Sequence, residues 1–163
     1  MEHMLLSYKG WANTLTFQDL SAVDENELIK ERHTNFKTIL STLNHVYVVD
    51  DIFKAHIEGR IHNYTSRNTK NTPSLHALIN KMTEMDKWYL NWYKAMAETD
   101  LKKNLTFEFI GGGEGHMTHQ EIILHLVNHA TYHRGFISDM LYQIPFSPTA
   151  NDLPVFLRDV WNK

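Results

Sequence analysis

His129 and His133 stand four residues apart in Leu126-Val-Asn-His129-Ala-Thr-Tyr-His133-Arg-Gly135. On a helix that spacing puts two imidazoles one turn apart on the same face, where both rings can converge on one metal ion. The pair also lies on an apolar stripe. Ile122, Leu126, His129, His133, Phe136 and Met140 follow one another at alternating steps of four and three, the rhythm of a helix face turned toward a bundle core. Imidazoles at such positions need partners, because an unpaired buried polar group costs about 1–3 kcal/mol.

His125 extends the run upward by another four residues. With a rise of ~1.5 Å per residue, His125 and His133 are ~12 Å apart along the axis, too far to share an ion. His129 and His133 fall on the stripe, whereas His125 stands one residue off it, so the lower pair is the expected one. Imidazole-bound metals usually take a third protein ligand and leave a position open where there is chemistry. His45, within Leu43-Asn-His45-Val-Tyr-Val-Val-Asp50, borders an apolar arc that contains Val46, Val49, Ile52 and Phe53. Spacing alone leaves two readings of His45 open: a metal ligand, or a core-edge histidine bonded to a carbonyl or another side chain. Asp50 lies about 140° further round the same helix and points into that arc. A carboxylate there needs a partner, and Arg134 is the expected one. His3, His33, His62 and His116 read as surface residues; His56, His76 and His119 have no converging partner.

The elements that must position these residues are helical. A first helix is expected from about Met4 to Asp19, with Tyr8, Trp11, Ala12 and Leu15 inward. Residues 21–33 read as a connection with a helical turn near 25–29. A second helix is expected over 35–58, ending near Gly59, and residues 60–72 form a polar loop. Pro73 and Ser74 open a third helix through Leu78, Met82, Met85, Tyr89 and Trp92 to about Glu98. Leu105 to Phe109 alternates like a strand, and Gly111 to Gly115 turns it back toward Met117. That glycine run lacks the Lys and Ser/Thr of a phosphate-binding loop. Thr118 and Glu121 form a capping box that starts the fourth long helix, which Pro145 and Pro148 end. Gly135 on that helix is expected to admit a close neighbour. Residues 153–161 form a short final helix. The fold class is therefore all-α: one domain over 1–163, an antiparallel four-helix bundle with a short hairpin before the fourth long helix and a short C-terminal helix.

Composition narrows the chemistry. The 163 residues contain no cysteine, which excludes disulfides, a cysteine nucleophile and thiolate-held metals. Any metal must be held by His, Asp, Glu or water. A formal net charge of −3 and the lack of a dense Lys/Arg cluster give no case for nucleic acid. Trp88, Tyr89, Trp92 and Tyr93 read as core and dimer contacts rather than a platform for bases. Met4-Leu5-Leu6 is too short for a signal-peptide apolar region, and no apolar run reaches the ~18–20 residues of a membrane span. A cytoplasmic protein without a membrane partner is the expectation.

Tyr8-Lys-Gly-Trp11-Ala-Asn13, then Leu43-Asn44-His45 with Asp50, then Leu124-His125-Leu126-Val127-Asn128-His129 followed by Thr131-Tyr132-His133-Arg134-Gly135, resemble three motifs of the DinB/YfiT-like family of small helical metalloproteins. They occur in order, across nearly the whole chain, with a glycine-rich hairpin before the last. The resemblance implies a four-helix bundle, commonly a homodimer, with one divalent ion held by His45, His129 and His133. Zinc and nickel come first, then iron, cobalt or copper, since histidine accommodates them all. It also implies transfer of a low-molecular-weight thiol of the bacillithiol type to an electrophilic substrate. The alternatives are a non-catalytic metal-bearing stress-response or ligand-binding protein, and a metal-dependent hydrolase. No Glu flanks the pair as in His-Glu-x-x-His, which weakens the hydrolase. Two positions depart from the family pattern: Phe136 where many members carry Gln, and Phe53 where many carry Trp. Neither is a ligand.

Overall fold

Eight regular elements follow one another in a computed structural model that describes residues 1–163. They are α1 (Glu2–Ser21), α2 (Glu25–Ile29), α3 (Ile39–Ile57), α4 (Leu75–Ala95), β1 (Asn104–Glu108), β2 (Glu114–Thr118), α5 (His119–Tyr142) and α6 (Leu153–Phe156). The long helices α1, α3, α4 and α5 are the bundle. No helix is long and apolar enough to cross a membrane.

Contacts set the helix directions. Lys9 and Asn13 meet Asp86, and His3 stacks on Tyr93, so α1 and α4 run antiparallel. His45 meets His129 and Phe53 meets His125, which makes α3 and α5 antiparallel as well. The remaining neighbours are parallel. Lys81 lies over Tyr47 and Lys54 over Trp88 between α3 and α4. Gln120 bonds Glu2 and Arg134 bonds Asn13 between α1 and α5. Parallel neighbours need a long crossover, and residues 58–74 supply it between α3 and α4.

Caps explain the boundaries. Helix α3 begins at Ile39 rather than near Asn35, because the Thr38 hydroxyl accepts the Ser41 amide while Lys37 turns the chain with φ of +64°. The Ser74 hydroxyl caps α4, and Thr118 with Glu121 completes the capping box of α5. Helix α4 ends at Ala95, and a 3-10 turn over Glu98–Lys102 follows it. In the hairpin, Leu105 pairs with Met117 and Phe107 with Gly115. Gly111, Gly112 and Gly113 all take φ near +95° to +99°, a region that side chains rarely adopt. At Gly115 a Cβ would meet the Phe107 ring at 2.6 Å. Its absence lets Phe107 lie across β2 and reach Phe53 on α3, with 5.4 Å between ring centroids.

The α5 stripe departs from the expected one at its lower end. Phe136 is 38% exposed and packs edge-on against Tyr132; Ile137, at 1%, takes the core position instead. One full turn from His133 is nearer four residues than three, so the buried line drifts to Ile137. Gly135 is exposed and admits no close neighbour.

A second difference lies inside the bundle. Lys9 is buried and donates to Asp50 at 2.7 Å and to Asp86 at 2.5 Å. Asp50 is therefore partnered by Lys9, not by Arg134. Burial alone would lower the pKa of Lys9, but the two carboxylates outweigh it and hold the ammonium above the ordinary lysine range. Tyr89 donates its hydroxyl to the Asp50 carbonyl at 2.6 Å. Arg134 instead donates to Asn13 at 3.2 Å, Tyr8 at 3.3 Å and Thr131 at 2.9 Å. Its role is to tie α5 to α1. Arg134→Ala is expected to lower stability by about 2 kcal/mol, the order of one or two lost hydrogen bonds to a charged group, without changing metal content. Urea titration and elemental analysis of the same sample check both halves.

Candidate metal centre

Helices α3 and α5 face each other where His45, His129 and His133 project between them. One ring nitrogen from each lies within 4.8 Å of the others. His45 Nε2 and His129 Nε2 are 3.1 Å apart. The ring centroids are 4.5 to 5.0 Å apart, with every pair steeply inclined. No carboxylate joins the group. His125 stays outside it, stacked on His129 at 5.4 Å.

The three rings are supported unequally. His45 Nδ1 lies 2.6 Å from the Arg67 carbonyl; it must donate, so the neutral ring keeps a lone pair on Nε2. Phe36 stacks on His45 at 4.2 Å and meets His133 edge-on at 5.6 Å. His45 and His133 are buried. The Nδ1 atoms of His129 and His133 have no protein partner. Neither Phe36 nor Arg67 was visible as a site residue in the sequence. Arg67 acts through its main chain, and Phe36 precedes the helix in a segment without periodicity.

Electrostatics keep the cluster neutral. Burial pushes His129 down to about 2, and the neighbouring imidazoles add to the effect. Burial and His45 push His133 down to about 4. Burial also lowers His45, against the opposing bond to Arg67. Neutral imidazole is the ligating form, so converging lone pairs without protons fit a divalent cation. The donor set suits zinc, nickel, cobalt, copper or iron.

The same shifts predict an acid sensitivity of the metal-free protein. Above the ordinary value of 6.5 these histidines are neutral both folded and unfolded, and their contribution is intact. As pH falls below it, the unfolded chain takes up protons that the folded cluster refuses, so stability declines toward pH 4 and below. Denaturant midpoints of metal-free protein at pH 7.5, 6, 5 and 4.5 should fall in that order. His133→Ala should flatten the decline.

A cavity of about 360 Å³ opens beside the cluster, with His45 and His129 in its wall. Val49, Ile52, Phe53, Phe107, Phe109, Ile110 and Met117 make most of the lining, and His56, Arg67, Glu108 and His125 complete it. His56, read as having no converging partner, and His125, passed over as a ligand, thus both reach this space. The pairing of α3 with the hairpin brings them there, and helical periodicity does not show it. On the other side Phe36, Thr42, Tyr132, His133 and Phe136 enclose only about 50 Å³. The larger space lies on the hairpin side of the cluster.

Comparison with known proteins agrees with this architecture. A model of the DinB family matches residues 1–159. Protein DinB of Bacillus subtilis (strain 168) is 26% identical over 164 aligned residues, covering 94% of this chain and 91% of that protein. Among solved structures, a DinB-like protein from Bacillus cereus ATCC 10987 superposes with a TM-score of 0.65 at 15% identity. The match covers 88% of this chain and 91% of the other, and at that identity it speaks to fold alone.

Proposed function

This chain belongs to the DinB family, and on that premise we propose a divalent-metal enzyme that joins a small cellular thiol to an electrophilic substrate. The observation that carries the reading is the convergence of three neutral imidazoles beside an apolar cavity, with no carboxylate among them. His45, His129 and His133 would hold the ion without neutralising its charge. A divalent ion bound there supplies Lewis-acid chemistry, lowering the pKa of a coordinated thiol or water toward neutrality.

The protein's own residues do the rest. The Arg67 carbonyl orients His45 and fixes its tautomer. Phe36 covers one side, and Phe53, Phe107 and Phe109 give the cavity on the other an apolar lining. In the reaction the thiol sulfur forms a bond to the electrophilic carbon while the carbon's bond to its leaving group breaks. The thiol proton and the leaving group depart together as the conjugate acid. No protein thiol is required, in keeping with a chain that has no cysteine. A homodimer is part of the same family-based proposal.

The test mixes zinc-loaded and metal-free protein with bacillithiol, or cysteine as substitute, and a panel of alkyl and aryl halides. Acceleration above free thiol that vanishes on metal removal is expected. Rates equal to free thiol with zinc, nickel, cobalt and iron in turn would overturn the transferase.

A further inference from the structure

The cavity next to the histidine cluster has a composition that selects its occupant. Its volume, about 360 Å³, lies near the lower end of small-molecule pockets, about 300–1,000 Å³. Three phenylalanines, Phe53, Phe107 and Phe109, contribute to the lining, two of them in edge contact through Phe107 at 5.4 and 5.1 Å. Such walls favour a flat ring. The polar groups are few and uncommitted. The Arg67 side chain, at the solvent-exposed rim, makes no ion pair or hydrogen bond, while its carbonyl is bound to His45. His56 Nε2 and His125 Nε2 are buried without partners.

We propose that this cavity is the binding site for the electrophilic substrate, and that the substrate is a ring-bearing monoanion. Its apolar ring lies among the phenylalanines, and its carboxylate or similar group is read by the Arg67 guanidinium. Arginine suits a planar carboxylate, which it can grip through two N–H donors. With one guanidinium in the lining and Glu108 beside it, a second negative charge would have no cationic partner. His56 and His125 offer hydrogen bonds to polar substituents on the ring. Because His45 and His129 form part of the wall, the bound molecule faces the ligand cluster. This deepens the proposed transferase and rests on it for the word substrate; the binding site itself is tested independently.

Three probes share one ring system: 2-naphthoate, 2-naphthalenemethanol and 2-naphthylmethylamine. Their affinities are measured by calorimetry on metal-free and zinc-loaded protein, with zinc content determined on each sample. The naphthoate is expected to bind about tenfold more tightly than the alcohol, the order of one charge-assisted bond, with the amine weakest. Arg67→Gln should erase the preference while keeping the main-chain carbonyl on His45. Ile110→Trp, at the cavity edge, should weaken all three probes and leave zinc content unchanged.

Equal affinities for acid and alcohol, or an undiminished preference in Arg67→Gln, would overturn the anion reading. Absence of probe binding in a protein that holds one zinc would overturn the pocket and leave the metal centre standing. Probe binding by a protein that takes no zinc would do the reverse.

Discussion

Lys9→Met is expected to cost about 3–5 kcal/mol, the penalty for removing one partner from a buried ionic group. The ammonium touches Asp50 and Asp86 at 2.7 and 2.5 Å with almost no solvent access. Without it two carboxylates share a dry interior, and Asn13 remains as a donor to Asp86 alone. Against a typical domain stability of about 5–15 kcal/mol, the variant should be close to unfolding. Urea denaturation at pH 7.5 measures the loss. Adding Asp50→Leu to Lys9→Met should recover part of it, because the penalty is an unpaired charge rather than missing volume. A loss below about 1 kcal/mol in the single variant would mean that the network contributes little beyond packing.

The second large effect is expected from His129→Ala. Its Nε2 is 3.1 Å from that of His45, and its ring centroid is 4.5 Å from that of His133. Removing it should lower zinc affinity at least a hundredfold, beyond the 10- to 100-fold typical of losing an outer partner. Competition against a chromophoric chelator reads the change. His125→Ala is the matched control: it stands one turn away on the same helix, touches His129, and is outside the cluster. Its affinity change should stay within threefold. Thiol transfer should disappear in His129→Ala.

The bundle, the hairpin and the three converging histidines could all be anticipated from the chain. Periodicity carried the helices, because an amphipathic helix must repeat near 3.6 residues. The capping box at Thr118 marked the start of α5. His129 and His133 were legible because their spacing of four is a property of one helix. His45 was not, from spacing alone: its meeting with α5 is a tertiary event, and the family resemblance supplied what periodicity left open. Lys9 was missed for a related reason. A lysine on a helix reads as solvated, and only the arrival of Asp50 and Asp86 from two other helices makes its burial tolerable. Arg67 carried no signal at all, since the atom that orients His45 is a carbonyl common to every residue. The parallel pairing of α3 with α4 depends on the route of residues 58–74, which hydrophobic pattern does not encode.

Zinc stoichiometry, by equilibrium dialysis and elemental analysis, decides whether the three histidines hold a metal ion. It is measured on the wild type and on His45→Ala, His129→Ala and His133→Ala, each first shown to be folded. One zinc per chain is expected in the wild type and less than a tenth of that in each variant. A wild type that takes up no zinc, nickel, cobalt, copper or iron, or three variants that all keep a full equivalent, would contradict it.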